Sequence, residues 1–206
     1  MTIGFCGGTG AGKSTLAEYA ATILGKEDTL IISQDHYYKH HPERTCKERA
    51  NMNFDHPSAI DFELLSTHIN ILRKGNIINR PVYCFENHLR KKETVVCMPK
   101  KHILVEGILI FTYPALVEQF DLKVYIEATK QIRVKRRIAR DVAFRGRTEK
   151  EVKKRFQNIM HNMHEQFIEP YKLHSDLILT NNNEIETAKT KLKEELEKQV
   201  WHEKIT

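Results

Sequence analysis

The residues best suited to chemistry open the chain. Gly7-Gly-Thr-Gly-Ala-Gly-Lys-Ser14 fits G-x-x-x-x-G-K-[ST], with Gly7, Gly12, Lys13 and Ser14 at the defining positions. Gly8, Thr9, Gly10 and Ala11 fill the loop, and Thr15 follows it. Glycines let the backbone fold closely around a phosphate chain, so that N–H groups and the start of the next helix point at negative charge. Lys13 would reach the β- and γ-phosphates, and Ser14 would offer its hydroxyl to Mg²⁺. The pattern implies a bound nucleoside triphosphate. Two carboxylates add to it, Asp35 just past the run Thr29-Leu-Ile-Ile-Ser33 and Glu106 at the end of His102-Ile-Leu-Val-Glu106. Beside Lys13 and Ser14 they would suit phosphoryl transfer to a hydroxyl, one carboxylate taking the acceptor's proton and oxygen ligands holding the metal. Apart from them, they are solvated acids at a sheet edge, where loop acids are common.

The elements that must position these groups read as alternating strands and helices. Thr2-Ile-Gly-Phe-Cys6 is a short apolar run of the kind buried in a parallel sheet, and Leu16, Ala20 and Ile23 fall at helical spacing before Gly25. Strand, glycine loop and helix are the context the motif requires. Thr29–Ser33, His102–Glu106, Leu122–Ile126 and Asp176–Leu179 are the further strands, and open parallel sheets bind ligands at the carboxyl ends of such strands. The segment 36–53 reads as polar and irregular. Asp61 caps a predicted helix to Lys74 with Leu64, Leu65, His68 and Leu72 on one face. Ile77–Tyr83 and Glu93–Cys97 read as a projecting β-hairpin, about 77–97, with Asn87–Lys92 as its polar tip. A basic helix is predicted over Lys130–Phe144, a break at Arg145-Gly-Arg147, one helix over Thr148–Phe167, and a charged C-terminal helix over Glu184–Trp201.

At 206 residues the chain suits one domain. No apolar run approaches the length of a membrane span, and Thr2 already belongs to a strand, so no membrane partner and a cytoplasmic location are expected. Cys6, Cys46, Cys84 and Cys97 lack C-x-x-C spacing and read as free thiols of a reducing compartment. The net charge of +6 gathers at Arg133-Val-Lys-Arg-Arg137, Arg140, Arg145 and Arg147. A triphosphate is sufficient counter-charge, and without a recognition motif no nucleic-acid partner is expected.

Beyond the glycine loop, several blocks in one order resemble the uridine/cytidine kinase family of P-loop kinases. They are Gln34–Lys39, Asn53–Asp61, Pro81–Tyr83 with His88 and Arg90, Val105–Leu109, Arg136–Arg147, and Gln166–Pro170 with Ser175-Asp176. The resemblance runs from about residue 3 to 180 and implies an α/β P-loop kinase fold. That fold has a five-stranded parallel sheet flanked by helices, a projecting β-hairpin and a helical lid at about 140–165. It implies transfer from ATP or GTP, with Mg²⁺, to the 5′-hydroxyl of a pyrimidine ribonucleoside, in a homo-oligomer that is often a tetramer. Asp35 would then be the general base, with Lys13 on the phosphates and Ser14, Glu106 and Asp35 arranging Mg²⁺. Asp55 would accept from the ribose 2′- and 3′-hydroxyls with Arg137 beside it. Tyr83, His88 and Arg147 would contact the base, and Arg140 and Arg145 would belong to the lid over the phosphates.

This chain departs from the family pattern at Tyr83-Cys-Phe85, where a carboxylate is usual after the tyrosine. Arg155 stands where a base-contacting glutamine is common, and it either meets the base or points to solvent beside Lys153 and Lys154. Thr180-Asn-Asn-Asn183 replaces a Pro- and Gly-rich turn. His161 and His164 share i,i+3 spacing but have no evident third metal ligand, so a helix-surface role is expected. Met160 and Met163 read as packing residues.

Overall fold

A computed structural model of the chain describes residues 1–144, 147–182 and 184–203. The described residues form strands β1 (Thr2–Gly7), β2 (Thr29–Ser33), β3 (Ile78–Cys84), β4 (Leu89–Cys97), β5 (His102–Glu106), β6 (Leu122–Glu127) and β7 (Leu177–Thr180). Five of them make a parallel sheet in the order β2-β5-β1-β6-β7. The register decides where the functional groups lie. Glu106 pairs with Phe5 of β1 and with Ser33 of β2, so β5, β1 and β2 finish at nearly one level. The glycine loop leaves β1, Asp35 follows β2, and Glu106 closes β5. All three therefore stand on the carboxyl rim.

The helices are α1 (Lys13–Leu24), α2 (Cys46–Ala50), α3 (Phe62–Arg73), α4 (Pro114–Val117), α5 (Lys130–Phe144), α6 (Glu149–Arg155), α7 (His161–Phe167) and α8 (Ile185–Glu203). Side chains alternate across a strand, so each face of the sheet owns a core. On one face, Ile3, Phe5, Leu104 and Val124 pack with Leu16 and Ala20 of α1 and Leu192 and Leu196 of α8. On the other, Cys6, Ile103, Val105 and Tyr125 pack with Leu65, Ile69 and Leu72 of α3. None of the described helices is long and apolar enough to cross a membrane. The four cysteines are all free thiols.

Several expectations are corrected in detail. The stretch 36–53 contains α2, closed by a capping box in which Thr45 and Glu48 satisfy each other's backbone N–H groups. Asp61 does cap α3, yet Ser66 and Ile69 are buried with Leu65 and Leu72, while Leu64 and His68 stay half-exposed. The hairpin turn is 85–88, because Leu89–Lys92 pair as strand against β3. An isolated two-stranded ribbon is marginal in water. Here arginines anchor it: Arg90 donates to Tyr38 O (2.8 Å), Tyr37 O (3.2 Å) and Asp61 Oδ2 (3.0 Å), and Arg49 donates to Asn87 O (2.9 Å).

The single helix predicted from Thr148 to Phe167 is α6 and α7 joined by a π turn, Phe156–Met160. Val152, Phe156, Met160, His164 and Ile168 are all buried, at a strict spacing of four. At about 100° per residue such a series drifts off one α-helical face by about 40° each step, and the wider turn winds it back. Hydrophobic spacing alone fits either geometry.

Candidate active site

The floor of the site is the glycine loop between β1 and α1. Gly12 sits at the helix start with φ 102°, a left-handed conformation, and a Cβ there would lie 2.3 Å from Asn181 Nδ2. Asn181, at 1% exposure, explains the close approach: its Nδ2 donates to Ala11 O (2.7 Å) and its N–H to Glu127 O (2.8 Å). Arg136 of α5 clips the same turn by donating to Asn181 O (2.9 Å) and Asn182 O (3.1 Å). Lys13 is buried and donates from Nζ to Gly8 O at 3.2 Å. Burial lowers its ammonium pKa, while the carboxylates of Glu106 and Asp35 act against that shift.

The two acids are fixed by the turns that carry them. Asp35 lies in a 3-10 turn, Gln34–Tyr37, and its N–H donates to Ser33 Oγ (3.3 Å). Gln34 is fully buried, and its Oε1 accepts from Leu109 N (2.8 Å), which stitches the exit of β2 to the exit of β5. Burial pushes the Glu106 carboxyl up, Lys13 opposes this, Asp35 adds to it, and hydrogen bonds from Ser33 and Ser14 favour the charged form. Lys13, Ser14, Asp35 and Glu106 all line one cavity of about 1080 Å³. Ser14 and the two carboxylates are hard oxygen donors, and Mg²⁺ is typically held by one or two carboxylates plus substrate phosphates. The donor set fits that ion, although among the described residues no group of three or more His, Cys, Asp or Glu forms a metal cluster.

The far wall of the same cavity carries the remaining predicted residues. Asp55 is 7% exposed and its carboxyl is pushed up by burial, with Arg137 and Arg155 pulling it down. Arg137 is gripped by Asp141, Nε to Oδ2 at 2.6 Å, and donates to the Thr9 hydroxyl, which ties α5 to the glycine loop. Arg140 shares Asp141, with Nε and Nη2 each 3.0 Å from Oδ1. Tyr83 packs on Tyr38 at 5.1 Å between centroids, and His88 stacks on Phe54 at 5.1 Å and 26°. Burial lowers the His88 pKa, with Arg147, Arg155 and Arg49 adding to the effect. Arg147 also lines the cavity, and Arg145 falls outside the described residues.

Arg155 does not point to solvent. It lies in the cavity wall and donates to Ala50 O (3.0 Å) and Met52 O (3.5 Å). His164 is likewise not a surface residue: it is 8% exposed, with Nε2 3.0 Å from Glu169 Oε2. Met160 is buried, and Met163 Sδ accepts from Asn53 Nδ2, so both do pack. Phe54, Arg133 and Asn181 lie in segments noted in the sequence, but none was given a role in the site. For Asn181 a signal existed, since its segment is where the family pattern breaks directly after a strand.

This geometry has a match in known proteins. The sequence profile described as "Phosphoribulokinase / Uridine kinase family" fits residues 2–188. The chain belongs to that family. Among curated members of the phosphoribulokinase/uridine kinase family, a uridine kinase of Halobacterium salinarum is 45% identical over 179 residues, 87% of this chain and 79% of that one. A uridine kinase of Clostridium novyi is 42% identical over 188 residues, 91% and 90% of the two chains. Solved structures show the same fold at low identity. Phosphoribulokinase from Rhodobacter spheroides superposes with a TM-score of 0.66 at 15% identity, covering 88% of this chain and 70% of that one. D-glycerate 3-kinase from Cryptococcus neoformans gives 0.61 at 15%, covering 88% and 86%. By family and fold the chain is a P-loop kinase, a class that uses a nucleotide with Mg²⁺.

Proposed function

We propose that this chain is a uridine kinase, transferring the γ-phosphoryl group of ATP or GTP to the 5′-hydroxyl of uridine, and in lesser measure cytidine. The observation that carries the reading is that one cavity gathers both sets of groups: Lys13, Ser14, Asp35 and Glu106 for the phosphates and the metal, and Asp55, Arg137, Tyr83 and His88 for a nucleoside. The uridine kinases at 42–45% identity support it.

In this reading Asp35 accepts the 5′-hydroxyl proton on a carboxylate oxygen as the new O–P bond forms and the β–γ bridge bond breaks, releasing ADP. Lys13 leaves Gly8 O and donates to the phosphate oxygens. Ser14, with Glu106 and Asp35, would hold Mg²⁺, which when bound would neutralise charge on the transferring group. Asp55 accepts from the ribose 2′- and 3′-hydroxyls, and Arg137 flanks it. Tyr83, the Phe54–His88 stack, Arg147 and Arg155 bound the base. Segment 140–165 acts as a lid of a single catalytic domain, bringing Arg140 over the phosphates and excluding water. The protein acts in the cytoplasm on small molecules, without nucleic acid or membrane, as a homo-oligomer.

The test is a comparison of kcat/KM for uridine and 2′-deoxyuridine with ATP. A buried carboxylate built for a diol loses a partner with the deoxynucleoside, so uridine should be favoured by about tenfold or more. Equal values would remove the ribose role of Asp55, and no turnover of either would remove the reading.

A further inference from the structure

Arg133 lies outside the acceptor and metal groups discussed so far. It stands in the first turn of α5, yet it is only 4% exposed, an unusual state for arginine. Its Nε donates to Ala128 O at 3.1 Å, and its guanidinium carbon is 5.8 Å from the centroid of the Phe156 ring. The opposite side of the guanidinium meets the glycine loop. A Cβ on Gly8 would lie 2.4 Å from Arg133 Nη1 and 2.9 Å from Cδ, and a Cβ on Gly10 would lie 2.5 Å from Arg133 O. Gly8 is not a defining position of the loop motif, and its backbone is not in the left-handed region. A side chain at Gly8 would therefore force Arg133 to move.

Gly8 is also the residue whose carbonyl accepts from Lys13 Nζ. A line of contact therefore runs from Phe156 through Arg133 and Gly8 to Lys13. Phe156 opens the π turn, Arg155 just before it grips Ala50 O and Met52 O in the acceptor wall, and π turns recur at functional sites. We infer that Arg133 is a positioning residue for phosphoryl transfer: it buttresses the glycine loop at Gly8 and Gly10, the loop that leads into Lys13, against the helix that forms the acceptor wall. Replacing it lets the phosphate end of the cavity shift relative to the acceptor end, a misalignment to which transfer rates are sensitive.

This inference rests on the kinase reading, so the experiment begins with an arm that needs no acceptor. Equilibrium binding of ATP with Mg²⁺ is measured by calorimetry without nucleoside, and then kcat and both KM values with uridine. Thermal melting confirms that each variant is folded. Arg133→Met should weaken ATP binding and lower kcat, each by about tenfold or more, while the KM for uridine stays within about twofold. Arg133→Lys should recover part of both losses. Phe156→Leu keeps the guanidinium but removes the ring under it, and should lower kcat by a smaller factor. If folded Arg133→Met melts earlier but keeps wild-type ATP affinity and kcat, Arg133 is structural only and the inference is overturned. Should Arg133→Met not fold, unchanged kcat and ATP affinity in Phe156→Leu overturn it equally. Failure of the wild type to phosphorylate uridine would strike the proposed function alone, leaving the ATP-binding arm to decide on Arg133.

Discussion

In the proposed reaction Lys13 serves the phosphates and Asp35 the acceptor's proton, and substitution of Asp35 separates chemistry from binding. Asp35→Asn keeps the shape of the side chain but cannot take a proton. It should leave ATP and uridine affinities within a few-fold and cut kcat by about 10²-fold or more, which steady-state kinetics with direct binding would show. A collapse of binding with kcat preserved would remove the role of general base and leave Asp35 a metal or structural residue only. Arg155 poses a finer question. It can only donate, whereas uracil offers O4 as an acceptor and cytosine an amino donor at the same place. Two opposed donors leave one unpaired, at a cost of about 1–3 kcal/mol, so the enzyme should prefer uridine and Arg155→Gln should move the ratio of kcat/KM towards cytidine. The same change removes the donors to Ala50 O and Met52 O, so KM for both nucleosides should rise. An unchanged ratio would show that Arg155 serves the wall and not the base.

Among the elements, the strands and the glycine loop were legible because each is a short local pattern. The runs Thr2–Cys6, Thr29–Ser33 and His102–Glu106 differ little from β1, β2 and β5, and Asp35 and Glu106 follow from where those runs end. The clasp of Asn181 on Ala11 and the burial of Arg133 were not legible, because they join parts of the chain far apart in sequence. The π turn was hidden for another reason, since a step of four suits an α-helix over any one turn and the drift builds up only across the series from Val152 to Ile168. The helix that contains it also sets a pH dependence. Burial lowers the His164 pKa to about 4, Arg133 adds to the shift, and Glu169 opposes it. Below its ordinary value of 6.5 the unfolded chain binds a proton that folded His164 refuses. Its contribution is thus whole above pH 6.5 and drains away as the pH falls towards 4. His36, also lowered to about 4 by burial beside Arg80, acts in the same direction. The melting temperature should fall across that interval, and less steeply in His164→Gln, whose amide can still donate to Glu169. Parallel pH profiles in the two proteins would assign the acid loss elsewhere.

Across the whole molecule, the sheet order brings three strand ends to one rim, and α5 and the α6–α7 unit close the cavity from the opposite side. The hairpin completes the enclosure: its Arg90 donates to Tyr37 O and Tyr38 O, and Arg49 of α2 donates to Asn87 O in its turn, which holds Tyr83 and His88 at the cavity. In the proposed reaction this cavity holds a triphosphate and a nucleoside, with Asp35 between them. The direct test is product analysis after mixing the purified protein, Mg²⁺, ATP labelled at the γ-phosphate, and uridine. The account predicts label in UMP at the 5′-position, in one-to-one ratio with ADP. Label recovered only as inorganic phosphate, or ATP left intact in the presence of uridine, would contradict it.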